Sequence, residues 1–146
     1  MKIVTFLQNQ WVRDPARLKR LITNPREREL YNRFLLFRGC HTGRVLQQCW
    51  GEELCDHVIW ENASPEIGNK ASAKFPPDLA HMKDVLDWHQ PGIVVGLSAP
   101  VHPILWQWRD AGAPWVVFVG PHPANRRATT RQDLIDLGDA IKELLI

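Results

Sequence analysis

Four short apolar runs constrain the fold of this chain more than any other feature. They are KIVTFL (residues 2–7), DHVIWEN (56–62), PGIVVGLS (91–98) and PWVVFVG (114–120). Most positions within each run are apolar, without strict alternation, which is typical of short strands buried on both faces. Segments with helical patterns separate the runs, so the sequence predicts a parallel sheet covered by helices on both sides.

The predicted fold is therefore α/β, a three-layer α/β/α sandwich around a central, four-stranded, mainly parallel sheet. We expect a single domain over residues 1–146, because this length supports one substantial core and is too short for two ordinary domains. An apolar fraction of 45% and a charged fraction of 23% are ordinary for a globular protein.

Capping residues and apolar spacing locate the helices. Asp14 and Thr42 are predicted N-caps, and further helices are expected over about 25–37, from Asp78, over 101–112 and from 129 or 130 to the end. Leu30, Phe34 and Phe37 are predicted to share one face of the second helix, and Leu79, Met82 and Leu86 are predicted to face inward in the helix that begins at Asp78.

Charge, cysteine content and apolar run length bear on compartment and cofactors. No run approaches the roughly 20 apolar residues that span a bilayer, and the N-terminal apolar stretch of about five residues is too short for a signal peptide. The three cysteines (Cys40, Cys49 and Cys55) match no disulfide framework, zinc site or iron–sulfur run. We expect a cytoplasmic monomer with reduced thiols, no membrane partner, no metal and no cofactor.

Polar side chains follow three of the predicted strands, where an α/β sheet places its ligand crevice. Asn62 offers the donor and acceptor that complement a pyrimidine edge, or it caps a turn. His122, held between two prolines, could stabilise charge on a leaving group, or it is a loop histidine without a role. Asn9 could position a water or form a turn.

Taken in order, these segments resemble the uracil-DNA glycosylase superfamily. The resemblance lies in QNQW after the first strand, TGRVL at residues 42–46, the strand end WEN, the PGIVVGLSAP step and HPANRR after the last strand. It implies a DNA glycosylase that flips a uracil or modified pyrimidine nucleotide out of DNA and hydrolyses its N-glycosidic bond, as in DNA repair, without metal or organic cofactor.

The resemblance also implies roles for individual residues. Asn9 corresponds to the residue that orients the attacking water, and His122 to the histidine that hydrogen-bonds a carbonyl oxygen of the departing base. Base-binding roles fall on Gln8, through its backbone amide, on Trp11 at the pocket floor, on Asn62 as the base reader, and on Phe37 or Phe34 as the stacking ring.

DNA is the partner that this resemblance implies, and the net charge of +2 means that attraction must come from local clusters. Candidate DNA-binding residues, whose phosphate contacts would hold the strand around the flipped nucleotide, are Arg44, Asn125, Arg126, Arg127 and Arg131. The alternative is that the arginine-rich stretch is a solvated loop.

The sequence departs from the superfamily pattern at two positions of the first motif, where Leu7 replaces a glycine and Gln10 replaces a proline. Residues 64–74 have no assigned role. Two other readings therefore stay open. One is a base-flipping enzyme of the same fold that processes a hypermodified base. The other is a non-catalytic nucleic-acid-binding domain or a nucleotide-binding α/β protein.

Overall fold

The sheet has four strands, all parallel, in the order β2-β1-β3-β4. The computed structural model describes residues 1–145, except for the side chains of Leu35 and Leu36. The strands are β1 (Ile3–Leu7), β2 (Val58–Asn62), β3 (Ile93–Gly96) and β4 (Val116–Val119). They fall within the four apolar runs, so the predicted parallel α/β sandwich is confirmed.

Helices connect the strands and continue to residue 145. A π-helical turn (Asn32–Leu36) joins the second helix to the third, and a 3₁₀ turn (Ala99–Val101) precedes the seventh. The α-helices are α1 (Pro15–Leu21), α2 (Pro25–Tyr31), α3 (Phe37–Gly39), α4 (His41–Trp50), α5 (Glu52–Cys55), α6 (Leu79–His89), α7 (His102–Asp110) and α8 (Thr130–Leu145).

The two faces of the sheet carry separate cores. Trp50 of α4 and Leu134 of α8 pack with Ile3 on one face, and Met82 of α6 and Leu105 of α7 belong to the core on the other. This arrangement is the three-layer sandwich that the sequence predicts. Among the helices that the structure describes, none is long and apolar enough to cross a membrane.

Of the two predicted N-caps, Asp14 is confirmed and Thr42 is wrong, and Asp78 is a further N-cap. The Asp14 carboxylate accepts from Arg17 N at 3.1 Å, and that of Asp78 accepts from His81 N at 3.0 Å. Helix α4 differs, because its cap is Cys40, one residue before the helix, and Thr42 lies inside the first turn.

Cys40 and a glycine together fix the start of α4. The Cys40 sulfur accepts a hydrogen bond from Gly43 N at 3.3 Å. A β-carbon at Gly43 would lie 1.9 Å from the carbonyl oxygen of Phe37, so no larger residue fits against α3 there. The glycine of the TGRVL segment is thus required by close backbone packing.

The single shared face predicted for the second helix is wrong. Phe37 is buried, but Leu30 is 39% exposed and Phe34 is 60% exposed. The π-helical turn after Tyr31 widens the helix, so residues beyond it no longer follow the 3.6-residue period that aligned the three side chains.

The same correction applies to one residue of α6. Met82 and Leu86 are buried as predicted, whereas Leu79 is 49% exposed. Leu79 is the first residue of the helix, next to the capping Asp78. The apolar contact with the sheet therefore begins one turn later than the spacing suggests.

Candidate functional site

The carboxyl ends of the four parallel strands form one edge, where the predicted site residues lie. From β1 the chain continues to β2 on one side, and β3 pairs with β1 on the other side. A reversal of this kind opens a crevice outside the strand ends. The residues at the ends of β1, β2 and β4 are therefore candidates for ligand binding and catalysis.

Residues 64–74, which had no assigned role, cover the exit of β1. Ser64 N donates to Gln8 O at 3.0 Å, Gly68 N donates to Gln10 O at 2.9 Å, and Val12 N donates to Gly68 O at 2.9 Å. These bonds form a short ladder between the two loops. The segment therefore braces the loop that carries Asn9.

Asn9 is held by that segment. Its Nδ2 donates to Gln10 O at 3.1 Å and to Ala73 O at 3.0 Å, and its Oδ1 accepts from Phe75 N at 3.1 Å. Both amide protons are used, and one lone pair of Oδ1 remains. Gln8 joins the same contact, since its Nε2 lies 3.4 Å from Phe75 O.

Asn62, the last residue of β2, is 7% exposed and has a fixed amide orientation. Its Oδ1 accepts from Trp60 Nε1 at 3.0 Å, and an indole nitrogen can act only as a donor. The turn before Pro65 is capped instead by Ser64, whose Oγ accepts from Glu66 N at 3.1 Å. Asn62 is therefore not the turn cap.

A cavity of about 280 Å³ opens beside Asn62. It lies between α1, α2 and the end of β2, and Asn62, Arg28 and His81 are among its lining residues. The Asn62 Nδ2 has no hydrogen-bond partner in the described part of the chain. Asn62 can thus present N–H donors to a ligand in this cavity.

A charged network centred on the buried Glu61 forms part of the cavity wall. Glu61 is fully buried, and its carboxylate lies 3.1 Å from Arg28 Nε and 3.0 Å from His89 Nε2. His81 Nε2 lies 3.1 Å from Asn62 O, and burial together with the Arg28 charge lowers the pKa of His81. Sequence reasoning missed this group, because each member reads as an ordinary strand or helix residue.

His122 lies two residues beyond Gly120 at the exit of β4, in a tight turn. Its Nδ1 accepts from Ala124 N at 3.0 Å, and its carbonyl oxygen accepts from Asn125 N at 2.9 Å. Burial, with a smaller effect from the Lys74 charge, lowers the pKa of His122 to about 4. The imidazole is therefore neutral near pH 7, with its proton on Nε2.

A groove of about 370 Å³ follows His122 and carries positive charge. Asn125 Oδ1 accepts from Arg127 N at 3.1 Å, and Arg131 Nη1 donates to Gln48 Oε1 at 2.9 Å. Arg126 and Arg127 are exposed, as is Arg44 in α4. In the described residues no carboxylate lines the groove, so the groove can attract phosphate.

The two aromatic candidates lie in different environments. Trp11 is 51% exposed, and its backbone bridges Gly68, which places it at the surface of the site. Phe37 is 3% exposed and meets Trp60 edge-on with 5.5 Å between ring centroids. Because Phe37 has no free face for a base, we correct its assignment to a core residue. The exposed alternative is Phe34, with the Arg33 guanidinium 5.4 Å from its ring centroid.

The structure brings the candidates to one edge but not into one cluster. Asn62 ends one outermost strand and His122 follows the other, and these two strands lie three strand spacings apart, or about 14 Å between backbones. No protein-family model matches this sequence, and a comparison with curated proteins finds no significant match.

Proposed function

We propose that this protein is a DNA glycosylase that flips a uracil or modified pyrimidine nucleotide out of DNA and hydrolyses its N-glycosidic bond. In this reaction the bond between the base nitrogen and the sugar C1′ breaks, and its electron pair leaves with the base. Water adds to C1′, and the proton that it loses ends on the departing base, which leaves as the neutral molecule. A site for such a reaction needs a hydrogen-bond donor to the departing base, a polar side chain that recognises the base edge, and contacts with the DNA phosphates.

The state of His122 is the observation that carries the proposal. Since Nδ1 accepts the Ala124 N–H, the single imidazole proton stands on Nε2, which has no partner among the described residues. A neutral donor held in place strengthens its hydrogen bond as negative charge grows on a base carbonyl oxygen. A pKa of about 4 keeps His122 in this form across the physiological range.

Two asparagines support the same reaction. The buried Asn62 presents its free N–H groups to the cavity, as a residue that reads a base edge would. Asn9 retains one Oδ1 lone pair, which can accept a hydrogen bond from the attacking water. The proposal thus assigns recognition to Asn62, water orientation to Asn9 and leaving-group stabilisation to His122.

The basic groove supports DNA as the partner. Arg126, Arg127 and Arg131 line it beside the His122 turn. Phosphate contacts from this groove would hold the strand close to the histidine without reading its sequence. We propose that the protein acts on DNA as a monomer in the cytoplasm.

A non-catalytic nucleic-acid-binding domain is the second candidate, and Asn9 favours it. Three of its hydrogen bonds already go to the chain itself. An amide used mainly to brace residues 64–74 is less free to guide a water. On this reading the groove binds nucleic acid, and His122 serves only to shape the turn through Ala124.

Incubation with oligonucleotides that contain uracil, thymine or a panel of modified pyrimidines, followed by alkali, separates these candidates. We expect strand breakage at one base, which marks an abasic site. Binding without breakage would contradict the glycosylase and support the second candidate. A change of mass without base loss would also contradict it, and would indicate an enzyme that processes a hypermodified base.

A further inference from the structure

The proposed reaction makes no use of the buried network of Glu61, Arg28 and His89. Glu61 has no exposed surface, and the His89 side chain is 1% exposed. Burying such groups costs free energy that their mutual attraction often fails to recover, so a buried ion pair is weak evidence for stability. Its position on a cavity wall points to a positioning role.

Among the residues that the structure describes, the network leaves the two terminal guanidinium nitrogens of Arg28 free. Glu61 engages Arg28 through Nε, at 3.1 Å and 3.4 Å from its two carboxylate oxygens. Within the described residues, neither terminal nitrogen of Arg28 has a hydrogen-bond partner, and the side chain is 26% exposed. A guanidinium held in this way keeps the parallel pair of donors that fits an oxyanion.

A second locked donor lines the same cavity. Trp60 fixes the Oδ1 of Asn62, so the Asn62 Nδ2 remains free, and Asn62 and Arg28 both line the 280 Å³ space. Glu61 orients Arg28 and Trp60 orients Asn62, so both donors need little reorganisation when a ligand binds. Their common preference is for oxygen acceptors that carry negative charge.

We propose that this cavity is an oxyanion-binding site, in which the terminal nitrogens of Arg28 and one N–H of the Asn62 Nδ2 bind a carboxylate or phosphate group of the substrate, while the second N–H of Nδ2 remains for the base. Glu61 is a positioning residue that acts through Arg28, and His89 holds Glu61. The inference deepens the proposed function, on which the assignment of Asn62 to substrate rests. The oxyanion comes either from a nucleotide phosphate or from a carboxylate on the base.

Matched ligand pairs test the site and distinguish the two sources. Binding to the full chain is measured by calorimetry and by amide chemical shifts, with deoxyuridine 5′-monophosphate against deoxyuridine, and uracil-6-carboxylate against uracil. In one pair the anionic member should bind about 10- to 100-fold more tightly, as charged hydrogen bonds do, and should shift resonances around Arg28. Equal binding within both pairs would overturn the proposal.

Variants show which residues produce the preference for the anionic ligand. Arg28→Gln should abolish the preference for the anionic ligand, and Glu61→Gln should weaken it. Arg26→Gln is the control, because Arg26 lies on the same helix with its side chain 67% exposed and should leave the preference unchanged.

Leaving Glu61 unpaired in Arg28→Gln can prevent folding, so the double variant Arg28→Gln with Glu61→Gln removes both charges together. A folded variant without Arg28 that keeps the preference would overturn the site. Because these measurements use free ligands and need no turnover, such a failure leaves base excision, and hence the proposed function, untouched.

Discussion

The exits of β2 and β4 lie on the same edge of the sheet but are built in opposite ways. At β4, His122 is fixed by its neighbours in the chain, since Nδ1 accepts from Ala124 N and exposed arginines follow. At β2, Asn62 and Glu61 are buried, and Glu61 binds Arg28 and His89, which lie 33 and 28 residues away.

This difference suggests a division of labour. A buried, long-range network holds donors rigidly and suits recognition, because mismatched polar groups inside it would be left unpaired. A surface turn followed by exposed arginines suits contact with a long polymer, and its neutral imidazole can face a reacting atom. We call the exit of β2 the recognition end and the exit of β4 the reaction end.

The largest effect is expected at the reaction end. His122→Ala should lower the rate constant for base release by roughly 10²–10³, as loss of one preorganised donor does, and should change affinity for an uncleavable analogue much less. Single-turnover kinetics with enzyme in excess measures the chemical step. His57→Ala, at an exposed histidine far along the chain, is the control. An unchanged rate in folded His122→Ala would remove the reaction end from the comparison.

At the recognition end, Asn62→Ala should reduce excision about 10- to 100-fold through loss of a buried hydrogen bond to the substrate, while the protein stays folded. The comparison variant is Asn69→Ala, an exposed asparagine in the neighbouring segment. Excision rate and melting temperature are measured together. If Asn62→Ala unfolds much of the protein while each folded molecule excises normally, the residue serves the fold and not the base.

Charge removal at the reaction end should act on binding. Arg126→Ala with Arg127→Ala should reduce the slope of log affinity against log salt by about two units on duplex DNA, one for each lost phosphate contact. Arg17→Ala with Arg20→Ala removes the same charge from exposed positions of α1 and should leave the slope nearly unchanged. Equal slopes in both double variants would place the DNA elsewhere.

A smaller effect is expected at Trp60, where it shows whether the indole orients the Asn62 amide or only packs in the core. Trp60→Phe removes the N–H that fixes the Asn62 amide, and should lower discrimination between substrates about 3- to 10-fold, the range of one neutral hydrogen bond. Trp50→Phe is matched, since Trp50 is also buried and its Nε1 donates to Leu134 O at 2.8 Å. Equal discrimination in the two variants would mean that Trp60 only packs.

The same contrast explains what could be predicted from the sequence. The strands, the order of helices and the Asp14 cap depend on apolar runs and on residues within one turn, so local patterns indicate them. His122 and its arginines were found for the same reason. The contacts at β2 join Arg28, Glu61 and His89 across separate elements, and no local pattern encodes such distances.

One wrong assignment and one missing assignment have equally physical causes. Phe37 was expected to stack on a base, but its ring is buried in the core and meets Trp60 edge-on, and the spacing of apolar residues does not separate a core ring from a stacking ring. Residues 64–74 had no assigned role because their contacts with Gln8 and Asn9 are mostly bonds of the backbone. A loop that pairs through its backbone carries little signal in its side chains.

The protonation state of His122 tests the account most directly, and nitrogen-15 NMR of the imidazole across pH 3–8 measures it without any substrate. We predict a neutral ring with its proton on Nε2 and a pKa of about 4, lowered from the ordinary 6.5 by burial and by Lys74. Since the folded state then binds fewer protons than the unfolded state, the stability that this histidine contributes is complete above pH 6.5 and is lost as the pH falls through about 4.

Lys74→Met should raise this pKa because it removes a positive charge, whereas Lys70→Met, in the same segment, should leave it nearly unchanged. A His122 that titrates near 6.5 with its proton on Nδ1 would contradict the account, because no preset neutral donor would then stand at the exit of β4.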